Sequence, residues 1–235
     1  MKRDRSVLPE SGEPEPGRAL TARIVAGDVE LEGILRRPRE ARGVVLFAHG
    51  SGSSRHSPRN RGVARLLRDA GLATLLFDLL TAEEEEAEAA TAHLRFDIEL
   101  LAGRLCAATR WAENEPAING LRLGYFGSST GAAAALVAAA QMSGHVHAVV
   151  SRGGRPDLAA QALVLVTAPT LLIVGGADHE VIALNQQAYE RLTARKRLEI
   201  IPGATHLFEE PGALERVAQL SADWFLRHLA GAPPS

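Results

Sequence analysis

Residues 124–140 read GYFGSSTGAAAALVAAA, two serines between glycines followed by a run of small apolar residues. The stretch divides at Ser129. Ahead of it, LRLGYFG (121–127) has the apolar character of a strand buried on both faces, and behind it the alanine run favours a helix. Gly127-Ser128-Ser129-Thr130-Gly131 matches G-x-S-x-G at that strand-to-helix turn, with Ser129 at the apex. A turn this sharp brings strand and helix close together, so the residues two before and two after the apex must be small. Gly127 and Gly131 meet that requirement for Ser129. Ser128 has Phe126 two residues before it and does not. The alanines then have a packing reason, since small side chains let the helix lie tightly on the sheet.

Working outward, short apolar runs recur at 43–50, 72–79, 147–154, 169–176 and 197–203, separated by helical patterns at 58–71, 94–113, 130–143, 157–166, 181–195 and 211–230. Pro58 and Pro211 suit first helical positions, and Ser57 can cap the first helix. Residues 19–38 read as two strands around the turn AGD, an antiparallel hairpin at the sheet edge. The sum is a doubly wound α/β domain of about eight strands, mostly parallel, with helices on both faces. In such sheets ligands gather outside the carboxyl ends of the strands.

A serine hydroxyl needs a base to take its proton, and the base needs a carboxylate to orient it. His206, in GATHLF after the last expected strand, and Asp178, in GGADHEV after the strand at 169–176, both fall at the correct edge. Asp157 in RGGRPDLA is the substitute acid, and His179 is a weaker candidate base.

The order Ser129, Asp178, His206, together with HGSGSS after the third strand, resembles the α/β-hydrolase superfamily from about residue 19 to the end. The absence of a large cap insertion, with HGSGSSRHSPRN and SRGGRPDLA, looks like the dienelactone hydrolase-like group of serine esterases. The resemblance implies an α/β-hydrolase fold without a large cap domain. It implies Ser129 as nucleophile, His206 as general base and then acid, and Asp178 as the orienting carboxylate. The backbone N–H groups of Thr130 and Ser51 would form the oxyanion hole. One departure stands out: dienelactone hydrolase proper uses a cysteine nucleophile, so its lactone substrate is not inherited with the fold.

Other residues have simpler readings. His49 opens HGSG and braces the oxyanion loop, Asp78 fixes a loop, and Cys106 fills the core. His145 and His147 lack a clustered third ligand and do not make a metal site. The acidic segment AEEEEAEAATAH (82–93) reads as a solvated helical face or mobile loop. Arg55, Arg59, Arg61 and Arg152 are expected near the active edge, either as solvated and structurally paired charges or as receptors for a carboxylate or phosphate.

Composition sets the outer bounds. The chain has 235 residues, 46% hydrophobic and 23% charged, with a formal charge of −2, which asks for no nucleic-acid partner. A single cysteine forms no internal disulfide, and no run suits a membrane span or a secretory leader, so a soluble cytoplasmic protein is the expectation. Residues 1–18, rich in Pro, Glu and Gly, read as a flexible tail before a single domain at 19–235. The expected activity is cleavage of small or short-acyl esters, or lactones, through an acyl-enzyme, with no metal or organic cofactor. A non-catalytic hydrolase-fold binding module is the alternative, as is an acyltransferase or thioesterase. A homo-oligomer is neither required nor excluded.

Overall fold

A computed structural model describes residues 19–91 and 93–230. The expected tail at 1–18 therefore lies outside the described residues. Eight strands form one sheet in the order β1-β2-β4-β3-β5-β6-β7-β8: β1 (Ala19–Ala26), β2 (Val29–Arg36), β3 (Val44–Ala48), β4 (Ala73–Phe77), β5 (Leu123–Ser128), β6 (Val146–Arg152), β7 (Thr170–Gly175) and β8 (Lys196–Ile201). β1 and β2 form the edge hairpin, and β2 runs antiparallel to β4. Every other pairing is parallel.

Side chains alternate along each strand, which sends one core to each face. In β3, Val44, Leu46 and Ala48 join the cluster beneath α3 (Ile98–Asn114) and α4 (Thr130–Gln141). Val45 and Phe47 join the cluster beneath α1 (Pro58–Asp69) and α6 (Ala213–Leu229). All five are buried, which is why the run is continuously apolar.

Several helix boundaries differ from the sequence reading for local reasons. Asp97 caps α3 by accepting from Leu100 N at 3.0 Å, so the pattern at 94–113 splits into a 3₁₀ turn (Leu94–Phe96) and α3. The segment at 157–166 is 3₁₀ (Pro156–Leu165), broken at Ala160 with φ 27°. It is the element between β6 and β7, so no large cap interrupts the sheet there. Pro211 lies outside α6, whose N-cap is Gly212, whereas Pro58 does open α1 and Ser57 Oγ accepts from Asn60 N.

The acidic run forms α2 (Ala82–Thr91), opened by a reciprocal capping box between Thr81 and Glu84. Its reading as a wholly solvated face needs correcting. Glu84 reaches inward to the buried Arg104 of α3 through two bonds, 2.6 and 3.0 Å. No helix among the described residues is long and apolar enough to cross a membrane.

Candidate active site

Ser129 follows β5 and caps α4 with φ 51° and ψ −122°, a backbone region that non-glycine residues rarely occupy. Such strain costs on the order of 1–3 kcal/mol and persists only where the surroundings enforce it. The enforcement is steric. A Cβ on Gly127 would lie 2.4 Å from Ala132 Cα, and one on Gly131 would lie 2.3 Å from the carbonyl oxygens of Ala48 and His49. Ser129 O accepts from both Ala132 N and Arg155 N at 3.1 Å, which ties the turn to the loop after β6. Ser128 is buried in the strand.

Asp178 follows β7 as the N-cap of α5 (His179–Arg191), and His206 lies in the loop after β8. Their loops are stitched together by Ala177 N donating to Ala204 O at 2.9 Å. His206 Nδ1 lies 2.7 Å from Asp178 Oδ2, with the carboxylate 15% exposed and the imidazole 40% exposed. A Cβ on Gly153, one residue after the Arg152 carbonyl that accepts from Ser129 N, would lie 3.5 Å from His206 Cε1. The imidazole thus stands beside the backbone that holds Ser129. His206 is hydrogen-bonded to Asp178 and not to the Ser129 hydroxyl. Asp157, the substitute acid, is occupied by a bidentate pair with Arg155 at 2.8 and 2.9 Å. His179 is exposed as the first residue of α5.

The loop after β3 brings Ser51 against Thr130. Ser51 N donates to Thr130 Oγ1 at 3.1 Å, and the two hydroxyls lie 3.0 Å apart. The Ser51 N–H is therefore already engaged by the side chain of the residue whose own N–H starts α4. Sequence reading placed both N–H groups here but missed the hydroxyl between them. His49 Nε2 accepts from Leu79 N at 2.9 Å, which leaves Nδ1 as the protonated nitrogen, 3.0 Å from Gly50 O. Burial holds the His49 imidazole below its ordinary pKa, so it braces this loop as a neutral group. A hollow of about 10 Å³ beside Thr130 is lined by His49, Ser51, Leu79, Glu85 and Arg95, so α2 and the turn after it reach the rim of the site.

The arginines separate in the structure. Arg55 is tied to Asp78 and Glu32, and Arg59 to Glu209 at 3.1 Å. Asp78 also accepts from Arg55 N at 2.6 Å, the loop-fixing role expected of it. Arg152 is buried, its Cζ 5.9 Å from the Phe208 ring centroid, and its Nε and Nη1 find no partner among the described residues. Phe208, at φ 56°, sits two residues beyond His206 and was not legible as part of the site. Nor was Asn185, a buried side chain of α5 that donates to Gly154 O at 3.0 Å and so fastens the loop after β6. Cys106 is a buried thiol that donates to Gln141, and His145 pairs with Glu113. Among the described residues no cluster of three or more His, Cys, Asp or Glu is placed to hold a metal ion.

Comparison with known proteins agrees with this frame. The profile of the dienelactone hydrolase family matches residues 31–228. A crystal structure of dienelactone hydrolase from Anabaena variabilis ATCC 29413 is 61% identical, covers 90% of this chain and 98% of its own, and superposes with a TM-score of 0.89. Est1E from Butyrivibrio proteoclasticus, 16% identical over 90% of this chain and 99% of its own, shares the fold with a TM-score of 0.73. A curated protein of Mycobacterium tuberculosis (strain ATCC 25618 / H37Rv), named a putative phosphoribosyl transferase, is 58% identical over 220 residues. That match takes in 94% of this chain and 49% of the relative, so the chain spans about half the length of the curated relatives it matches.

Proposed function

The chain belongs to the dienelactone hydrolase family, and from that premise we propose that it is a serine hydrolase cleaving small carboxylic esters or lactones through an acyl-enzyme. The observation that carries the reading is the bond between His206 Nδ1 and Asp178 Oδ2, formed beside a strained Ser129 at the mouth of α4. With Asp178 accepting the Nδ1 proton, Nε2 is left as the free base. Ser129 Oγ loses its proton to Nε2 as it bonds to the substrate carbonyl carbon, and the carbonyl oxygen becomes an oxyanion. The Thr130 N–H at the start of α4 and the Ser51 N–H are the proposed donors to it, aided by the partial positive charge of the helix terminus. Collapse breaks the carbon–oxygen bond to the alcohol, which takes the proton from His206. Water then repeats the sequence and releases the acid.

The name putative phosphoribosyl transferase belongs to relatives about twice the matched length, and it supplies a second reading. Under it, incubation with phosphoribosyl diphosphate and a base acceptor would release diphosphate. The proposed reading is tested first by intact-mass labelling with a fluorophosphonate on wild type, Ser128→Ala and Ser129→Ala. One adduct, lost only in Ser129→Ala, is the expected result. Absence of an adduct on folded wild type would overturn it and favour a non-catalytic binding module.

A further inference from the structure

A second cavity, away from Ser129, has a chemistry that the proposed hydrolase reaction leaves unused. It has a volume of about 710 Å³ and lies between α1, the β2 and β4 strands and the loop at Arg55–His56. That size is within the usual range of small-molecule sites. Among the described residues five arginines line it, Arg36, Arg55, Arg61, Arg65 and Arg68, and no carboxylate does. Ile34 and Leu76 supply an apolar floor from the two strands.

The arrangement works against the stability of the chain. Arg61, Arg65 and Arg68 stand at i, i+4 and i+7 and so share one face of α1, where like charges repel. Arg36 faces them from β2. Arg68 is held below its ordinary pKa by burial first and then by Arg36, Arg65 and Arg61, with Asp69 as the opposing charge. Among the described residues Arg68 has only the Thr74 hydroxyl as a hydrogen-bond acceptor, at 3.2 Å, and Arg55 is neutralised by Asp78 and Glu32 at the cavity's end. Arg36, Arg61 and Arg65 are exposed and make no ion pair among the described residues.

We propose that this groove binds an organic diphosphate, its two phosphate groups spanning the Arg61–Arg65–Arg68 face and Arg36, and its organic part lying on Ile34 and Leu76. The span of the row favours two linked phosphates over one: at about 1.5 Å rise per residue, Arg61 and Arg68 are separated by about 10 Å along α1. Guanidinium groups bind phosphate oxygens bidentately and with stronger bonds than neutral donors. An anion seated there would offset the repulsion among these arginines.

The test is calorimetric titration of the full chain with ADP, inorganic diphosphate and inorganic phosphate at low ionic strength. Wild type is compared with the Arg61→Gln/Arg65→Gln double variant. The expected result is saturable one-to-one binding of ADP and diphosphate, tighter than phosphate, at least 10-fold weaker in the double variant and weakened by added salt. The unliganded double variant should unfold at the same or a higher temperature and still take the fluorophosphonate at Ser129, which separates loss of the groove from loss of the fold. No saturable binding by wild type, equal affinity in the double variant, or binding of duplex DNA without binding of diphosphate would each overturn the proposal.

Discussion

His206 Nδ1 and Asp178 Oδ2 meet at 2.7 Å although 28 residues separate them in sequence, because β7 and β8 are parallel neighbours that deliver their following loops to one edge. If this bond fixes the tautomer of the imidazole, Asp178→Asn should preserve the fold and lower kcat on a p-nitrophenyl ester by about 10⁴. Asp157→Asn, which disturbs only the local pair with Arg155, should leave kcat within a factor of about three. Steady-state kinetics on the two variants decide it, and a reversed pattern would move the acid to residue 157.

The Ser51–Thr130 contact yields a second prediction. Thr130→Val keeps the shape of the side chain and frees the Ser51 N–H from its 3.1 Å bond to Oγ1. If the backbone N–H groups hold the oxyanion, kcat should stay within about fivefold of wild type or rise, since losing a true oxyanion donor costs about 10²–10³. A fall of that larger size would assign the donor role to the Thr130 hydroxyl.

Gly131→Ala tests the strained turn itself. The added methyl would lie 2.3 Å from two carbonyl oxygens of the strand-end loop, backbone atoms that cannot step aside cheaply. Destabilisation of about 3 kcal/mol or more, read from urea unfolding, is expected. Gly103→Ala, in α3 with open space around the new methyl, should be neutral or stabilising by comparison.

Much of this was legible because the deciding signals were local. Gly127, Ser129 and Gly131 state a turn within five residues, and fully apolar runs such as VVLFA state burial on both sheet faces. What escaped reading depends on partners far apart in sequence. Glu84 looked like one solvated carboxylate among five until α3 brought Arg104 beneath it. Asn185 and Phe208 acquire their places only when the loops after β6 and β8 converge. The five arginines of the α1 groove come from three separate segments, and Arg36 could not be joined to Arg61 before the β2–β4 pairing was known.

The Glu84–Arg104 pair gives the pH prediction. Burial raises the Glu84 pKa, but the Arg104 hydrogen bonds, the Thr81 N–H and the Arg104 charge outweigh it, leaving the group below its ordinary value of 4.5. A depressed carboxylate contributes stability that is fully present above the ordinary value and lost as pH falls through the folded one. Unfolding midpoints should therefore drop below about pH 4.5 in wild type. Glu84→Gln should be less stable at pH 7 by roughly 2 kcal/mol or more, because Arg104 is left buried without its counter-charge, and should show a shallower acid limb. Equal acid limbs in the two proteins would remove the pair from this role.

Arg152 poses the opposite case, a buried cation that makes no ion pair among the described residues. Burial and then the Arg59 charge pull its pKa down to about 10, the sign of a charge the fold holds at a cost. Strand alternation puts its side chain on the same face as Val150, whose neighbours are the α1 and α6 cores, and Phe208 covers the guanidinium. Arg152→Met should therefore raise the unfolding free energy at pH 7 by about 1 kcal/mol or more. It should also leave unchanged the ratio of kcat/KM for a neutral ester and a matched ester carrying a terminal carboxylate. A selective loss on the carboxylate ester, with stability unchanged, would instead make Arg152 the receptor for an anionic substrate group.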